Sequence, residues 1–255
     1  MGLEALAITD HDTLAGYDRA QPVASAVGLD LVCGIEISTK FHGRSVHLLG
    51  YFVKQPATAE FREWLLALQR SRRERNLRMI ERLRSLGLDV SIEEVEAKGR
   101  SMAGRPHFAR LLIEKGYVST IEQAFREYLD ESAKGYVQRL EPAMHEGIER
   151  VRKGGGVPSL AHPIRVSRRV HGGHEEFENL LAEMVEMGLG AMEVYHSDHR
   201  EEDVARYQDL ARRFHLAATG GSDFHGANKP HVELGRGFEG NLNVPRALLD
   251  HLRTM

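Results

Sequence analysis

The chain is short of several things that would otherwise set its class. One cysteine, Cys33, among 255 residues excludes an intramolecular disulfide and a zinc cage built on thiolates. A lone thiol suits a reducing compartment, so the cytoplasm is the expected location. No uninterrupted apolar run approaches the ~20 residues that cross a bilayer. No basic segment leads into an apolar stretch near residue 1, so neither a membrane anchor nor a signal peptide is expected. Excess charge is missing too. Against 37 acidic residues stand 34 basic ones, a net of −3. That balance excludes a strongly basic nucleic-acid coat but leaves room for a local basic groove. There is no internal repeat, no low-complexity linker and no feature that calls for an obligate protein partner.

What is abundant is histidine, with 14 copies, and histidine is the commonest metal-binding side chain. With 42% apolar residues, the chain can bury one large α/β domain or a domain with a modest insertion. Residues 3–9 read as a buried strand. Residues 13–27 read as a helix, with Thr13 as N-cap and Gly28 as its stop. Residues 29–39 and 44–53 read as two more strands, and the alternation suggests parallel strands with helical crossovers. The next block is helical, with apolar residues at helical spacing in Phe61, Leu65, Leu68, Leu77, Ile80 and Leu83. Strand–helix alternation then returns, with strands at 157–163, 189–197 and 216–226. The expected division is a barrel from 1–57 and 136–255, with a helical insertion at 58–135.

Chemistry collects at the strand ends. The first strand runs into Asp10, His11 and Asp12; the next two carry Glu36 and His47. Later ones end at His162, at Glu193 and His196, and at Asp223 and His225. In barrels of alternating strands and helices such ends converge on one cavity. His, Asp and Glu together suit zinc, manganese or iron better than calcium. Each residue has a plainer reading. His11 between aspartates caps a helix start, Glu36 forms a salt bridge, and His47 or His162 is merely hydrogen-bonded. Asp223 and His225, two apart, point the same way if their segment is extended. The run "RSRRERNLRMIERLR" (70–84) is either a solvated helix face or a basic flank that tracks a nucleic-acid backbone. Tyr51, Phe52 and Trp64 either stack a base or pack in a core.

The ordered set "ITDHDT", "GIEIS", "VHLLGY", "GRPHFAR", "AHP", "EVYH" and "GSDFHG" resembles the polymerase and histidinol phosphatase (PHP) family of metal-dependent phosphoesterases. The closer resemblance is to the branch with a helical insertion, which acts on nucleoside phosphates and short oligonucleotides. It implies a distorted barrel of about seven strand–helix units and two to three divalent ions, manganese first, with zinc or iron as alternatives. His11, Glu36, His47, His162, Asp223 and His225 are the implied metal ligands. Arg105, His107 and Arg165 are the implied phosphate contacts, with His196 beside the leaving oxygen as proton donor or hydrogen-bond donor; the plainer reading has Arg105 pair with a carboxylate and His107 open a helix. The implied reaction is attack on phosphorus by a metal-activated water, on a 3′,5′-nucleoside bisphosphate or a short RNA or DNA. The family's opening strand, ending in "DLHxHS", has no counterpart, so a barrel lacking its first strand is expected. Two other readings stay open: a truncated, impaired protein that only binds phosphate or nucleotide, and a histidinol-phosphate-type phosphatase.

Overall fold

A computed structural model describes residues 2–99, 103–139 and 141–255. The chain divides into two units, Met1–Arg62 with Pro142–Met255, and Glu63–Glu141.

The first unit is built on a six-stranded sheet whose spatial order follows the chain, β1-β2-β3-β4-β5-β6. The strands are β1 (Ala5–Ile8), β2 (Asp30–Phe41), β3 (Arg44–Phe52), β4 (Val157–Leu160), β5 (Ala191–His196) and β6 (Ala217–Gly221). The mixed sheet and its covering helices form an α/β half-barrel, consistent with the distorted barrel that the resemblance implies. Among the described residues it has six strands, one fewer than the resemblance implies. The all-parallel expectation needs correction at β3, which runs antiparallel to both β2 and β4. The reason is local. Phe41 pairs with Arg44, and the two residues between them, His42 and Gly43, have φ of 46° and 74°. Two left-handed residues make the tight turn whose twist matches a hairpin, and glycine enters that conformation without strain.

Helices α1 (Ala15–Val27), α6 (Met144–Lys153), α7 (Pro163–Ser167), α8 (Gly173–Glu186), α9 (Glu201–Arg213) and α10 (Arg246–Thr254) complete this unit. Gly28 ends α1 in the left-handed conformation, as expected. Thr13 is not its N-cap: Leu14 holds that position, and the Thr13 hydroxyl accepts from the Ala15 amide at 3.2 Å. Sequence periodicity missed α7 and α10. The latter packs on the sheet face that carries Glu36, setting Leu249 against Val32, Leu49 and Tyr51, and Leu252 against Ala191 and Ala217.

The second unit is helical: most of α2 (Ala59–Ser85), then α3 (Ile92–Gly99), α4 (Arg105–Glu114) and α5 (Ile121–Ala124), which runs on through a π-helical turn to Leu129. Its core gathers Met79, Ile80, Leu83, Val90, Phe108 and Leu112. No helix among the described residues is long and apolar enough to cross a membrane.

A charged clamp ties α10 to β2. Arg253 grips Asp30 with parallel bonds of 2.9 and 2.8 Å, and Arg246 adds one of 2.7 Å. The Arg253 hydrogen bonds hold the Asp30 carboxyl below the usual carboxylate range. A lowered folded-state pKa gives stability that is present above the unfolded pKa and lost as pH falls through the folded one. Asp30→Asn therefore lowers stability by about 1 kcal/mol at pH 7. Thermal melts of the variant and parent converge as pH falls below about 4. A gap that persists undiminished at pH 3 would contradict the clamp.

Candidate metal centre

Glu36 sits on the cavity face of β2 at 6% exposure, and the sheet delivers imidazoles to it from three directions. The ladder of β1 and β2 continues past its strand end: the Glu36 amide donates to Asp10 O at 3.1 Å, the Asp12 amide donates to Glu36 O at 2.9 Å, and His11 bridges opposite Glu36. His47 lies opposite Ser38 on β3 and so is a diagonal neighbour of Glu36 on the same face. His162 follows β4, where the Ala161 amide donates to His47 O at 3.2 Å.

The result is a tight convergence. Glu36 Oε1 lies 2.6 Å from His47 Nδ1 and 3.2 Å from His162 Nε2, and those two nitrogens are 3.1 Å apart. His11 Nε2 is 3.7 Å from Glu36 Oε2. Donors sharing one ion at bonds of about 2.1 Å stand about 3 Å from each other, so this set fits a divalent cation. His11, Glu36 and His47 each place one donor atom within 4.8 Å of the others. Burial alone would raise the Glu36 pKa; the His11 and His47 charges and the His162 hydrogen bond outweigh it and hold the carboxyl well below its usual range.

A second cluster stands beside the first. Asp223 Oδ2 receives Arg165 Nη2 at 2.8 Å and the Lys229 ammonium, and lies 3.8 Å from His196 Nε2. Arg165 also binds Asp198 at 2.7 Å. Asp223 is thus ion-paired, and the reason given for its shared direction with His225 fails: at φ 53° its backbone is not extended. His225 still reaches the site, with its ring 6.2 Å from that of His11 and its Nδ1 2.8 Å from Asp223 O. Burial raises the Asp10 pKa, and the neighbouring His225 opposes that rise.

His196 is buried at 2% exposure. The Asp198 amide donates to its Nδ1 at 3.0 Å. That bond leaves the proton on Nε2 in the neutral ring. Burial pulls its pKa down to about 3. Strand alternation alone would turn Glu193 and His196, three apart, to opposite faces. A bulge between Glu193 and Tyr195 resolves the conflict by re-aiming the strand end. Glu193 accepts from the His162 amide at 2.7 Å, and burial raises its pKa well above the carboxylate range. Sequence reasoning noted Glu193 but gave it no role, and it missed Asp198 and Lys229. "YHSDH" did carry a signal for Asp198, an acid two residues beyond a strand-end histidine.

Arg105 and His107 belong to the helical unit. His107 Nδ1 accepts from the Gly104 amide at 3.1 Å and so caps α4, which is the plainer of its two readings. Arg105 donates to Leu129 O at 3.4 Å and lies over the rings of Phe125 and Tyr136.

A cavity of about 930 Å³ opens within the first unit, with β1 and β6 both on its wall. Ala7, Val32, Leu49 and Tyr51 give it an apolar body, and His11, Glu36, His162 and Asp223 line its polar end. An apolar hollow with a few convergent polar groups is the usual form of a small-molecule site.

No family model matches the chain. It is 34% identical over 243 residues to the 5′-3′ exoribonuclease Rnm of Escherichia coli (strain K12), spanning 92% of this chain and 80% of that protein. It is 34% identical over 242 residues to the phosphoribosyl 1,2-cyclic phosphate 1,2-diphosphodiesterase of Eggerthella lenta, spanning 91% and 87%. Its structure matches that of a metal-dependent phosphoesterase of Bifidobacterium adolescentis with a TM-score of 0.82 and 32% identity, over 99% of this chain and 86% of the other.

Glu36→Gln keeps the shape and removes the charge that the imidazoles surround. Elemental analysis of the purified variant is expected to show metal content down by more than about tenfold. Unchanged content would remove Glu36 from the centre.

Proposed function

The chain belongs to the PHP family of phosphoesterases, and from that premise we propose that it hydrolyses phosphate esters of nucleotides, either a 3′,5′-nucleoside bisphosphate or a short oligonucleotide, with manganese as its working metal. On the same reading it belongs to the branch with a helical insertion, for which the helical unit Glu63–Glu141 is the candidate, and works in the cytoplasm without an obligate protein partner. The observation that carries the reading is the meeting of Glu36 Oε1, His47 Nδ1 and His162 Nε2 within 2.6–3.2 Å of one another.

His11, Glu36, His47 and His162 would hold the cations, with Asp223 and His225 completing the set. When bound, such ions supply Lewis acidity and a water acidic enough to ionise near neutral pH. The remaining steps fall to the chain itself. Arg165 and Lys229 bring two positive charges to Asp223 at the polar end of the cavity, and such charges steady a phosphoryl group that gains charge on its equatorial oxygens. Arg165 is pre-aimed by Asp198 and Asp223, which limits the reorganisation needed when an anion arrives. His196, neutral with its proton on Nε2, acts as a hydrogen-bond donor toward the leaving oxygen rather than as a charged acid. Glu193, whose pKa burial raises, fixes the His162 backbone by accepting from its amide.

The reading is tested by stripping the purified chain with a chelator and restoring manganese, zinc or iron in turn. Adenosine 3′,5′-bisphosphate, a short 5′-phosphorylated RNA and histidinol phosphate serve as substrates. Turnover of the bisphosphate or the RNA, lost on chelation and restored best by manganese, is expected. Activity confined to histidinol phosphate, or indifferent to metal, would contradict it. His196→Ala is expected to lower kcat by about 100-fold, while His196→Gln, which keeps an N–H donor, retains a larger part. Equal loss in both variants would remove the donor role.

A further inference from the structure

Of the large apolar side chains exposed among the described residues, Phe224 alone lines the cavity. It is 46% exposed. Phenylalanine belongs to the residues most often fully buried, and its ring carries a large apolar area. The aromatic residues that the sequence put forward for base stacking are not available for it. Tyr51, Phe52 and Trp64 are buried at 7%, 3% and 9% exposure.

The loop that carries Phe224 is pinned on both sides. Ahead of the ring, Ser222 O accepts from the Ser197 hydroxyl at 2.8 Å, and Asp223 is held by Arg165 at 2.8 Å and by the Lys229 ammonium. Behind it, His225 Nδ1 lies 2.8 Å from Asp223 O, and the Asn228 amide donates to His225 O at 3.1 Å. A side chain shown from so fixed a loop loses little freedom when a ligand lands on it.

Phe224 also stands beside charge. Consecutive Cα atoms are about 3.8 Å apart, so the ring is one residue from the carboxylate where Arg165 and Lys229 meet. On its other side the His225 ring comes within 6.2 Å of that of His11. This wall therefore sets cations suited to a phosphate next to a flat apolar surface. A nucleotide has the matching two parts. Its phosphate answers the cations, and every base has a π-face that stacks on an aromatic side chain. A sugar phosphate without a base answers the cations alone.

We propose that Phe224 stacks on the base of the bound nucleotide and so selects nucleotides over base-free sugar phosphates. The inference rests on the nucleotide phosphoesterase reading and adds to it the residue that recognises the base.

The test measures binding to the full chain as purified, with its metal, in the cold to slow turnover. Adenosine 5′-monophosphate and ribose 5-phosphate are titrated by calorimetry. The parent is expected to bind the nucleotide about tenfold more tightly than the sugar phosphate, the contribution of one stacked base. Phe224→Ala is expected to bind the nucleotide about tenfold more weakly and ribose 5-phosphate within twofold of the parent. Phe224→Trp keeps the nucleotide affinity, and the added indole loses fluorescence with adenosine 5′-monophosphate but not with ribose 5-phosphate. Equal affinity of the parent for the two probes, nucleotide binding retained within twofold by Phe224→Ala, or an equal loss for both probes would overturn the proposal. If Phe224→Ala fails to fold or loses its metal, the indole signal decides, and quenching by both probes alike or by neither overturns the proposal. Base-dependent binding without hydrolysis would contradict the proposed activity and leave this inference standing. Hydrolysis of adenosine 3′,5′-bisphosphate with unaltered nucleotide binding in Phe224→Ala would do the reverse.

Discussion

A carboxylate with 6% of its surface exposed sits among three imidazoles, and the rest of the first unit is arranged around that fact. An isolated buried charge is costly. Glu36 is tolerable because His11, His47 and His162 surround it and favour its ionised form. His11 and His162 follow the ends of β1 and β4 and His47 lies within β3, so the three strands must hold the right register against β2. The same convergence that shelters the carboxylate makes a set of nitrogen and oxygen donors about one ion apart.

The local devices that achieve this can be named. The His42–Gly43 turn sends β3 back antiparallel, which puts His47 diagonal to Glu36. A bulge in β5 allows Glu193 and His196 to serve the same site. Asp12, His162 and Asp223 have φ of 53°, 31° and 53°, a region that non-glycine residues seldom enter. Such backbone persists only where the surroundings over-determine it, and it gathers at functional sites. Here the surroundings are visible. Asp12 Oδ1 accepts from the Ser38 amide at 3.0 Å, the His162 amide is held by Glu193 at 2.7 Å, and Asp223 is gripped by Arg165 and Lys229.

Much of this was legible beforehand, because strand ends announce themselves as apolar runs broken by histidine or acid. His11 and His162 could be found that way, Glu36 and His47 as polar residues inside apolar strands, and the helical block and the stop at Gly28 from helical spacing and a closing glycine. The antiparallel turn was signalled by two residues between strands, but "HG" is a weaker mark than the asparagine–glycine pairs such turns favour. The bulge in β5 leaves no trace in residue types, so the roles of Glu193 and His196 could not be told apart. Asp223 and Arg165 were expected to serve a metal and a phosphate separately; that they pair with each other depends on a chain reversal no local pattern reveals. In α2, helical spacing alone could not say which arginines face inward. Five are solvated, as the plainer reading has it, while Arg72 and Arg75 are buried with the core.

The central claim is that the polar end of the cavity is a metal centre with Glu36 at its heart. Diffraction from crystals grown with manganese, recorded on both sides of its absorption edge, tests this directly. The account predicts an anomalous peak within bonding distance, about 2.0–2.3 Å, of Glu36 together with His47 or His162. A well-ordered map with no peak there, or with the ion held elsewhere, would contradict it.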